Sequence, residues 1–235
     1  MEHHLKIRRF DPESGAGPYW ARYTVDAEPT DTVLDALNAV KWYHDGSLAL
    51  RQSCGQGVCG SDALRINGRN RLACKTLLRD VGRSVSVAPI AGLPVIKDLA
   101  VDTEPFFAQY RSVLPYLQCD DDPGETERRQ TPEERARFDE ATKCILCAAC
   151  TTSCPSAWAN DRFVGPAAIV QAYRFICDSR DSAGAERLAQ LDGESGVWRC
   201  RTTFNCTDAC PRGIAVTSCI GEIKLELAIG RRTGA

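Results

Sequence analysis

Two cysteine runs in the C-terminal half of the chain constrain its fold most strongly. The first run is Cys144, Cys147, Cys150 and Cys154, followed by Pro155, and the second is Cys200, Cys206 and Cys210, followed by Pro211. The spacing of the first run, C-x2-C-x2-C-x3-C-P, is typical of iron-sulfur ligation, in which three close cysteines hold one cluster and the fourth holds another. Two such runs therefore predict two clusters that share their ligands crosswise.

The second run keeps the spacing of the first but has Thr203 where a second cysteine would stand. A threonine hydroxyl is not ionised near neutral pH and is a poor soft ligand, so one corner iron has no thiolate to bind it. We therefore predict one 4Fe-4S and one 3Fe-4S cluster. The predicted ligands are Cys144, Cys147, Cys150 and Cys210 for the 4Fe-4S cluster, and Cys154, Cys200 and Cys206 for the 3Fe-4S cluster.

The alternatives for these cysteines are a structural zinc site and a disulfide scaffold. Zinc sites also use C-x2-C pairs, but they close with four ligands and have no use for the third cysteine or the Cys-Pro endings. Disulfides need an oxidising compartment. We expect no targeting signal in residues 1–10, which carry His3, His4 and basic residues instead of an apolar core.

The composition narrows the classes of function. The length of 235 residues allows two domains of ordinary size, and the 13 clustered cysteines indicate metal in a reducing compartment. Because 29 Lys and Arg nearly balance 31 Asp and Glu, nothing in the charge indicates nucleic acid as a partner. No apolar stretch approaches the roughly 20 residues of a membrane helix, so we expect no membrane span in this chain.

A third metal motif lies in the N-terminal half. Cys54, Cys59 and Cys74 follow the plant-type ferredoxin spacing, C-x4-C-x2-C and a distant cysteine, with Asp62 at the third position. Glycines 55, 57 and 60 allow the loop to fold closely around a cluster and to point N–H groups at its sulfurs. We predict a 2Fe-2S cluster on Cys54, Cys59, Asp62 and Cys74. Asp62 alternatively caps a turn.

The sequence around the third motif predicts a small β-grasp domain over residues 1–104. Alternation predicts a hairpin from Leu5 to Val25, helical spacing follows over residues 30–43, and Asn67-Gly68 indicates a second hairpin. Val85 and Val87 form a last strand, and prolines and glycines from residue 89 to 105 mark a crossover between domains.

Residues 105–235 are predicted to be helical. A capping box at Thr131 opens a helix expected to deliver Cys144, Gly165 opens a second, and a last helix carries apolar residues from Val216 to Leu227. Residues 119–129 read as an exposed loop. Three cysteines fit no ligand spacing: Cys119, whose role is open, and Cys177 and Cys219, read as buried small hydrophobes.

Together these motifs resemble the iron-sulfur subunit of succinate:quinone oxidoreductase, respiratory complex II, and its relative fumarate reductase, over nearly the whole chain. The stretches that carry the resemblance are Ser53 to Asp62, Cys74, Cys144 to Cys147, Ser153 to Ser156, Gly165-Pro166, Tyr173 to Phe175, Asp178 to Asp181, and Cys210-Pro211. The resemblance implies an α+β fold, with a plant-type 2Fe-2S ferredoxin domain followed by an α-helical ferredoxin domain.

The resemblance also implies partners. A flavoprotein subunit with FAD would oxidise succinate, and a membrane anchor, which often carries heme b, would hold this chain peripherally at the cytoplasmic face of a bacterial membrane. Electrons would pass from the flavin through the 2Fe-2S, 4Fe-4S and 3Fe-4S clusters to quinone, so this subunit of the oxidoreductase has no catalytic site for succinate. A fumarate reductase subunit with reverse flow is the alternative, and cluster spacing cannot separate the two. A free soluble ferredoxin fits the length less well.

In the resembling family, quinone lies beside the 3Fe-4S cluster, which implies a quinone site. The matching residues are Pro155, Ser156, Trp158, Arg201 and Thr203. The indole of Trp158 either donates to quinone or packs on the anchor. Arg201 either donates to a quinone oxygen or binds a heme propionate or a lipid phosphate. Ala159 and Arg201 replace a Trp and a His of well-known ubiquinone enzymes, which favours menaquinone over ubiquinone.

Overall fold

The computed structural model describes residues 1–120 and 126–233, the side chains of 231–233 excepted. It divides into a sheet unit, Met1–Pro105 with Ile145–Ser153, and a helical unit, Phe106–Cys144 with Cys154–Ala235. The domain boundary between residues 104 and 105 stays a prediction. The grouping of Ile145–Ser153 with the sheet unit is a feature that the sequence patterns did not indicate.

The sheet unit is built on a five-stranded sheet with the order β2-β1-β5-β3-β4. Its strands are β1 (Glu2–Arg9), β2 (Tyr19–Asp26), β3 (Ala63–Ile66), β4 (Arg69–Leu72) and β5 (Ser84–Pro89). Strand β1 pairs antiparallel with β2 and parallel with β5, whereas β3 pairs antiparallel with β4 and β5. Both predicted hairpins are confirmed, and Asn67 and Gly68 have the positive φ angles that a tight turn requires.

Helix α1 (Val33–Ala39) covers the inner face of this sheet. Thr32 forms a capping box with Asp35, and a π-helical turn, Val40–His44, follows. Val33 and Leu37 are buried in one apolar core with strand residues such as Ile7. The predicted helix is therefore confirmed, although it ends as an α-helix four residues before Tyr43.

A buried ionic network fixes the chain that leads to the first metal motif. The guanidinium of Arg9, at the end of β1, donates from Nε to Asp98 Oδ1 at 2.9 Å and from Nη1 to Asp45. The other oxygen of Asp98 accepts from the backbone N–H of Ala49 at 2.8 Å. Hydrogen bonds from Ser47, together with Tyr23 and Arg9, hold the pKa of Asp45 well below its usual range. The segment before Cys54 is thus tied to the sheet by charge-assisted bonds.

The crossover region contains structure that its prolines and glycines did not predict. Strands β6 (Val95–Lys97) and β7 (Ala100–Val101) form a small antiparallel sheet. Val101 joins a second apolar cluster with Ile90 and Ala149, which anchors residues 145–153 within the sheet unit. Asn70 of β4 also donates to Thr152 Oγ1 at 2.9 Å. Helix α2 (Leu78–Val81) precedes β5.

Eight further α-helices follow in the part of the chain that the structure describes, which does not include residues 121–125. They are α3 (Glu104–Ser112), α4 (Pro132–Ala136), α5 (Ala149–Thr152), α6 (Pro155–Ala159), α7 (Gly165–Ile176), α8 (Gly184–Leu191), α9 (Asn205–Asp208) and α10 (Val216–Thr233). Helix α7 is buried along most of its length. Helix α10 buries Val216, Ile220 and Ile223, as its spacing predicts, while Leu227 is half-buried.

The helix predicted to deliver Cys144 is shorter than expected. Thr131 and Glu134 form the capping box, but α4 ends at Ala136, and a separate 3-10 helix, Glu140–Lys143, leads to Cys144. The turn between them directs Phe138 into the core, where it is fully buried. Burial of this ring therefore outweighs continuation of an exposed, charged helix.

The cysteines outside the ligand spacings have structural places. Cys177, at the end of α7, and Cys219, in α10, are buried as predicted. Cys119 donates from Sγ to the carbonyl oxygen of Arg180 at 3.0 Å. The described residues of the predicted loop 119–129 have no helix or strand, and its central residues 121–125 lie outside the described part of the chain.

Candidate iron-sulfur sites

The loop from Cys54 to Asp62 wraps its backbone around the Cys54 thiol. The N–H groups of Gln56, Val58 and Cys59 point at Cys54 Sγ from 3.3, 3.4 and 3.3 Å. These donors lower the pKa of Cys54 to about 6, with the N–H of Gln56 as the largest cause. The loop thus favours a thiolate, which is the form of cysteine that binds iron.

Three glycines give this loop its shape, and they differ in what surrounds them. Gly55, Gly57 and Gly60 have φ angles of 65°, 73° and 71°. A Cβ atom at Gly55 would have no neighbour within 4 Å, and one at Gly57 would meet the flexible side chain of Lys75. A Cβ at Gly60 would lie 2.7 Å from Cys147 Cβ and 3.0 Å from the carbonyl oxygen of Ile145. Gly60 therefore lets the loop pack directly against a predicted ligand of another cluster.

Gly60→Ala is expected to cost far more stability than Gly55→Ala. Both substitutions place a Cβ on a left-handed residue, at about 1–2 kcal/mol. Only Gly60→Ala adds overpacking against backbone, for about 1–3 kcal/mol more. Denaturant unfolding of the assembled protein measures the difference. Equal destabilisation by the two variants would contradict the close packing of Gly60 and Cys147.

Asp62 is placed both to cap a turn and to bind iron, the two roles that the sequence suggests for it. It is buried, and its Oδ2 accepts from the N–H of Cys74 at 2.6 Å, so it does close the turn. Its Oδ1 is also buried and has no hydrogen-bond partner among the described residues. Burial, and then Asp62, raise the pKa of Cys74 to about 12. A buried, unpaired carboxylate oxygen beside a buried thiol is unfavourable unless a cation binds there, so this donor set fits an iron site.

The two cysteine runs have matching backbone conformations from their first cysteine to the short helix that follows. Each begins after a 3-10 helix, with φ and ψ of −64° and 125° at Cys144 and −67° and 124° at Cys200. The residues two and four positions later are left-handed in both: Leu146 at φ 53° and Ala148 at 62°, and Thr202 at 55° and Phe204 at 62°. Short helices α5 and α9 then lead to Cys154-Pro155 and Cys210-Pro211. Thr203 thus has the place that Cys147 has in the first run.

The predicted ligands differ in burial. Cys154 and Cys206 are buried and Cys200 is half-buried. The N–H of Thr202 donates to Cys200 Sγ at 3.4 Å, and Thr217 Oγ1 lies 3.5 Å from Cys206 Sγ. Burial raises the pKa of Cys206. The four thiols predicted for the 4Fe-4S cluster, at positions 144, 147, 150 and 210, are all half-buried.

In the described part of the chain, no three His, Cys, Asp or Glu side chains converge on one point as the ligands of a single metal ion would. The ligands of a cluster bind different iron atoms, so convergence on one point is not what a cluster requires. The fit of this chain to clusters rests instead on the N–H groups around Cys54, the unpaired Asp62 oxygen and the matched runs.

The residues of the implied quinone site lie on or near helix α6 and the second run. Ser156 donates from Oγ to the carbonyl oxygen of Arg199 at 2.8 Å, which joins α6 to the approach to Cys200. Pro155 begins α6, and Trp158 is 59% exposed. Arg201 and Thr203 are also exposed. Phe204, the residue after Thr203, is also exposed, at 55%.

Two family models match the chain. A 2Fe-2S iron-sulfur cluster binding domain matches residues 4–108, and a 4Fe-4S dicluster domain matches residues 136–211. These matches agree with the α+β fold, in which a β-grasp, plant-type 2Fe-2S domain precedes a helical ferredoxin domain. The matched ranges contain all eleven predicted cluster ligands.

Solved structures share this fold. A chain of the Mycobacterium smegmatis Sdh1 complex in the apo form superposes with a TM-score of 0.87 at 29% identity, covering 97% of this chain and 96% of that one. A hypothetical protein from Helicobacter pylori, at 16% identity and a TM-score of 0.57, covers 95% of this chain and 39% of that chain, and shares the fold alone. None of the described helices is long and apolar enough to cross a membrane.

Curated relatives extend over almost the whole chain. The succinate dehydrogenase iron-sulfur subunit of Coxiella burnetii is 46% identical over 95% of this chain and 96% of that protein. The subunit of the same name from Paracoccus denitrificans is 43% identical over 94% of this chain and 86% of that protein. Identity of this level and extent, together with both cluster domains, shows that the chain belongs to the family of succinate dehydrogenase iron-sulfur subunits.

Proposed function

We propose that this chain is the electron-transfer subunit of a succinate:quinone oxidoreductase, relaying electrons from the FAD of a flavoprotein subunit to a membrane quinone. When bound, 2Fe-2S, 4Fe-4S and 3Fe-4S clusters supply the one-electron redox chemistry. The observation that carries the proposal is the matched backbone of the two cysteine runs, with Thr203 in place of one thiol.

The chain's own residues would hold these groups. Cys54, Cys59, Asp62 and Cys74 would hold the 2Fe-2S cluster, and the N–H groups around Cys54 would stabilise its sulfurs. The 4Fe-4S ligands would be Cys144, Cys147, Cys150 and Cys210, and the 3Fe-4S ligands Cys154, Cys200 and Cys206. The packing of Gly60 against Cys147 supports the proposed order, because it joins the first loop to a ligand of the next cluster.

The exposed end of the second run is the proposed place of quinone reduction. Trp158 and Arg201 offer N–H donors to quinone oxygens there, next to Pro155 and Thr203. Ser156 already donates to Arg199, so in this conformation its hydroxyl acts as an acceptor or as a support for α6. An anchor subunit, with or without heme b, would cover this surface at the cytoplasmic face of the membrane. Ala159 and Arg201 stand where well-known ubiquinone enzymes have a Trp and a His, which favours menaquinone as the acceptor.

Low-temperature EPR of the purified complex, with iron and sulfide analysis, tests the proposal. We expect an oxidised three-iron signal that disappears on reduction, joined by reduced 2Fe-2S and 4Fe-4S signals. Addition of menaquinone and ubiquinone analogues to the reduced complex then compares the two acceptors. Two four-iron clusters without a three-iron signal would overturn the cluster assignment, and a complex that succinate cannot reduce would overturn the direction.

A further inference from the structure

Two threonine hydroxyls lie next to Cys206, and no cluster spacing accounts for them. Thr207 follows Cys206 in α9, and Thr217 lies in the first turn of α10, where it is buried. Thr217 Oγ1 is 3.5 Å from Cys206 Sγ and 2.9 Å from Thr207 Oγ1. The three side chains therefore form a line that ends at a predicted ligand of the 3Fe-4S cluster.

The donors and acceptors along this line indicate its direction. The N–H of Thr217 donates to Thr207 Oγ1 at 3.0 Å, so that oxygen already accepts one hydrogen bond. An iron-bound cysteine sulfur has no proton and can only accept. Each hydroxyl proton has an acceptor within this line if Thr207 donates to Thr217 Oγ1 and Thr217 donates to Cys206 Sγ. A hydroxyl that receives a bond is also a stronger donor, because the two bonds polarise each other.

We propose that Thr217 is a positioning residue whose hydroxyl donates a hydrogen bond to Cys206 Sγ and is oriented by Thr207. This hydrogen bond raises the reduction potential of the cluster that Cys206 would hold. The inference rests on the proposed function, because it needs the 3Fe-4S cluster on Cys154, Cys200 and Cys206. Reduction adds negative charge to the cluster and its sulfurs, so a hydrogen bond to a sulfur stabilises the reduced form more than the oxidised form.

The test is a redox titration of the purified complex, followed by the oxidised three-iron EPR signal, with Thr217→Val and Thr217→Ser as a matched pair. Thr217→Val keeps the shape but removes the hydroxyl. We expect the ratio of reduced to oxidised cluster at a fixed ambient potential to fall about tenfold, which is a potential lower by about 59 mV. Thr217→Ser keeps the donor and should stay within about twofold of the unaltered protein. Thr207→Val should give a smaller fall in the same direction, about two- to threefold.

The 2Fe-2S cluster is the control within each sample, since its predicted ligands lie in the sheet unit. Its potential should stay unchanged in every variant. An equal three-iron potential in the unaltered protein and Thr217→Val would overturn the inference and leave the proposed function intact. If the unaltered protein has no three-iron signal, the proposed cluster assignment itself fails. Should Thr217→Val not retain the cluster, Thr217→Ala and Thr207→Val decide, and unchanged potentials in both would overturn the inference.

Discussion

Thr203→Cys is expected to convert the three-iron site into a four-iron site. Position 203 has the place of Cys147, because the flanking residues have matching left-handed φ angles, 55° and 62° against 53° and 62°. The new thiolate supplies the missing soft ligand for a corner iron. The iron content should rise by about one atom per chain, and the oxidised three-iron EPR signal should be replaced by a signal that appears on reduction. Because cluster type is a main determinant of potential, we expect a larger shift than the Thr217 variants give.

Two substitutions control this result. Thr203→Ser keeps a hydroxyl and should keep the three-iron cluster. Thr202→Cys places a thiol one residue out of register, on the residue whose N–H points at Cys200 Sγ, and should not recruit a fourth iron. A Thr203→Cys protein with unchanged iron content and EPR spectrum would mean that position 203 does not correspond to position 147.

The second large effect is the loss of the 2Fe-2S cluster expected on substitution of Asp62. An asparagine at this position separates the two roles of the side chain, closing the turn and binding iron. The amide oxygen of Asp62→Asn can still accept from the N–H of Cys74, so the turn should persist. The variant has no anionic oxygen for iron, and we expect the 2Fe-2S content, measured by iron, sulfide and EPR of the reduced protein, to fall to a small fraction of normal. Asp62→Cys should instead retain the cluster with an altered potential.

Asp62→Ala is the control for the turn. It leaves the N–H of Cys74 without its acceptor. We expect this variant to lose the 2Fe-2S cluster and also about 1–3 kcal/mol of the free energy of unfolding. If Asp62→Asn and Asp62→Cys both have normal 2Fe-2S content and potential, Asp62 closes the turn and does not bind iron.

Cysteine spacing predicts the candidate ligands, but it does not predict the backbone that presents them. Leu146, Ala148, Thr202 and Phe204 are all left-handed, although none is glycine and threonine is β-branched. Local preference argues against such conformations, which cost free energy and collect at functional sites. At Thr202 this conformation points the backbone N–H at Cys200 Sγ, and such a contact is not visible in the residue types.

The other features that the sequence patterns did not predict also arise from contacts between distant residues. The capping box at Thr131 predicts where α4 begins, but the burial of Phe138 ends it. The bond from Arg9 to Asp98 joins residues 89 positions apart, and the hydroxyl line at Cys206 joins residues from two helices. Helix periodicity and turn residues report on neighbours in sequence, so they locate elements well and long-range polar contacts poorly.

The make-up of the sheet unit has a consequence for synthesis of the chain. Strand β1 can pair with β2 early, but its parallel pairing with β5 requires residues 84–87, and Ile145–Ser153 complete the unit only later. Such distant pairing folds slowly and leaves strand edges open in the meantime. A fragment that stops at residue 105 would lack residues 145–153 of this unit. The sheet unit can therefore be complete only after about two thirds of the chain has been translated.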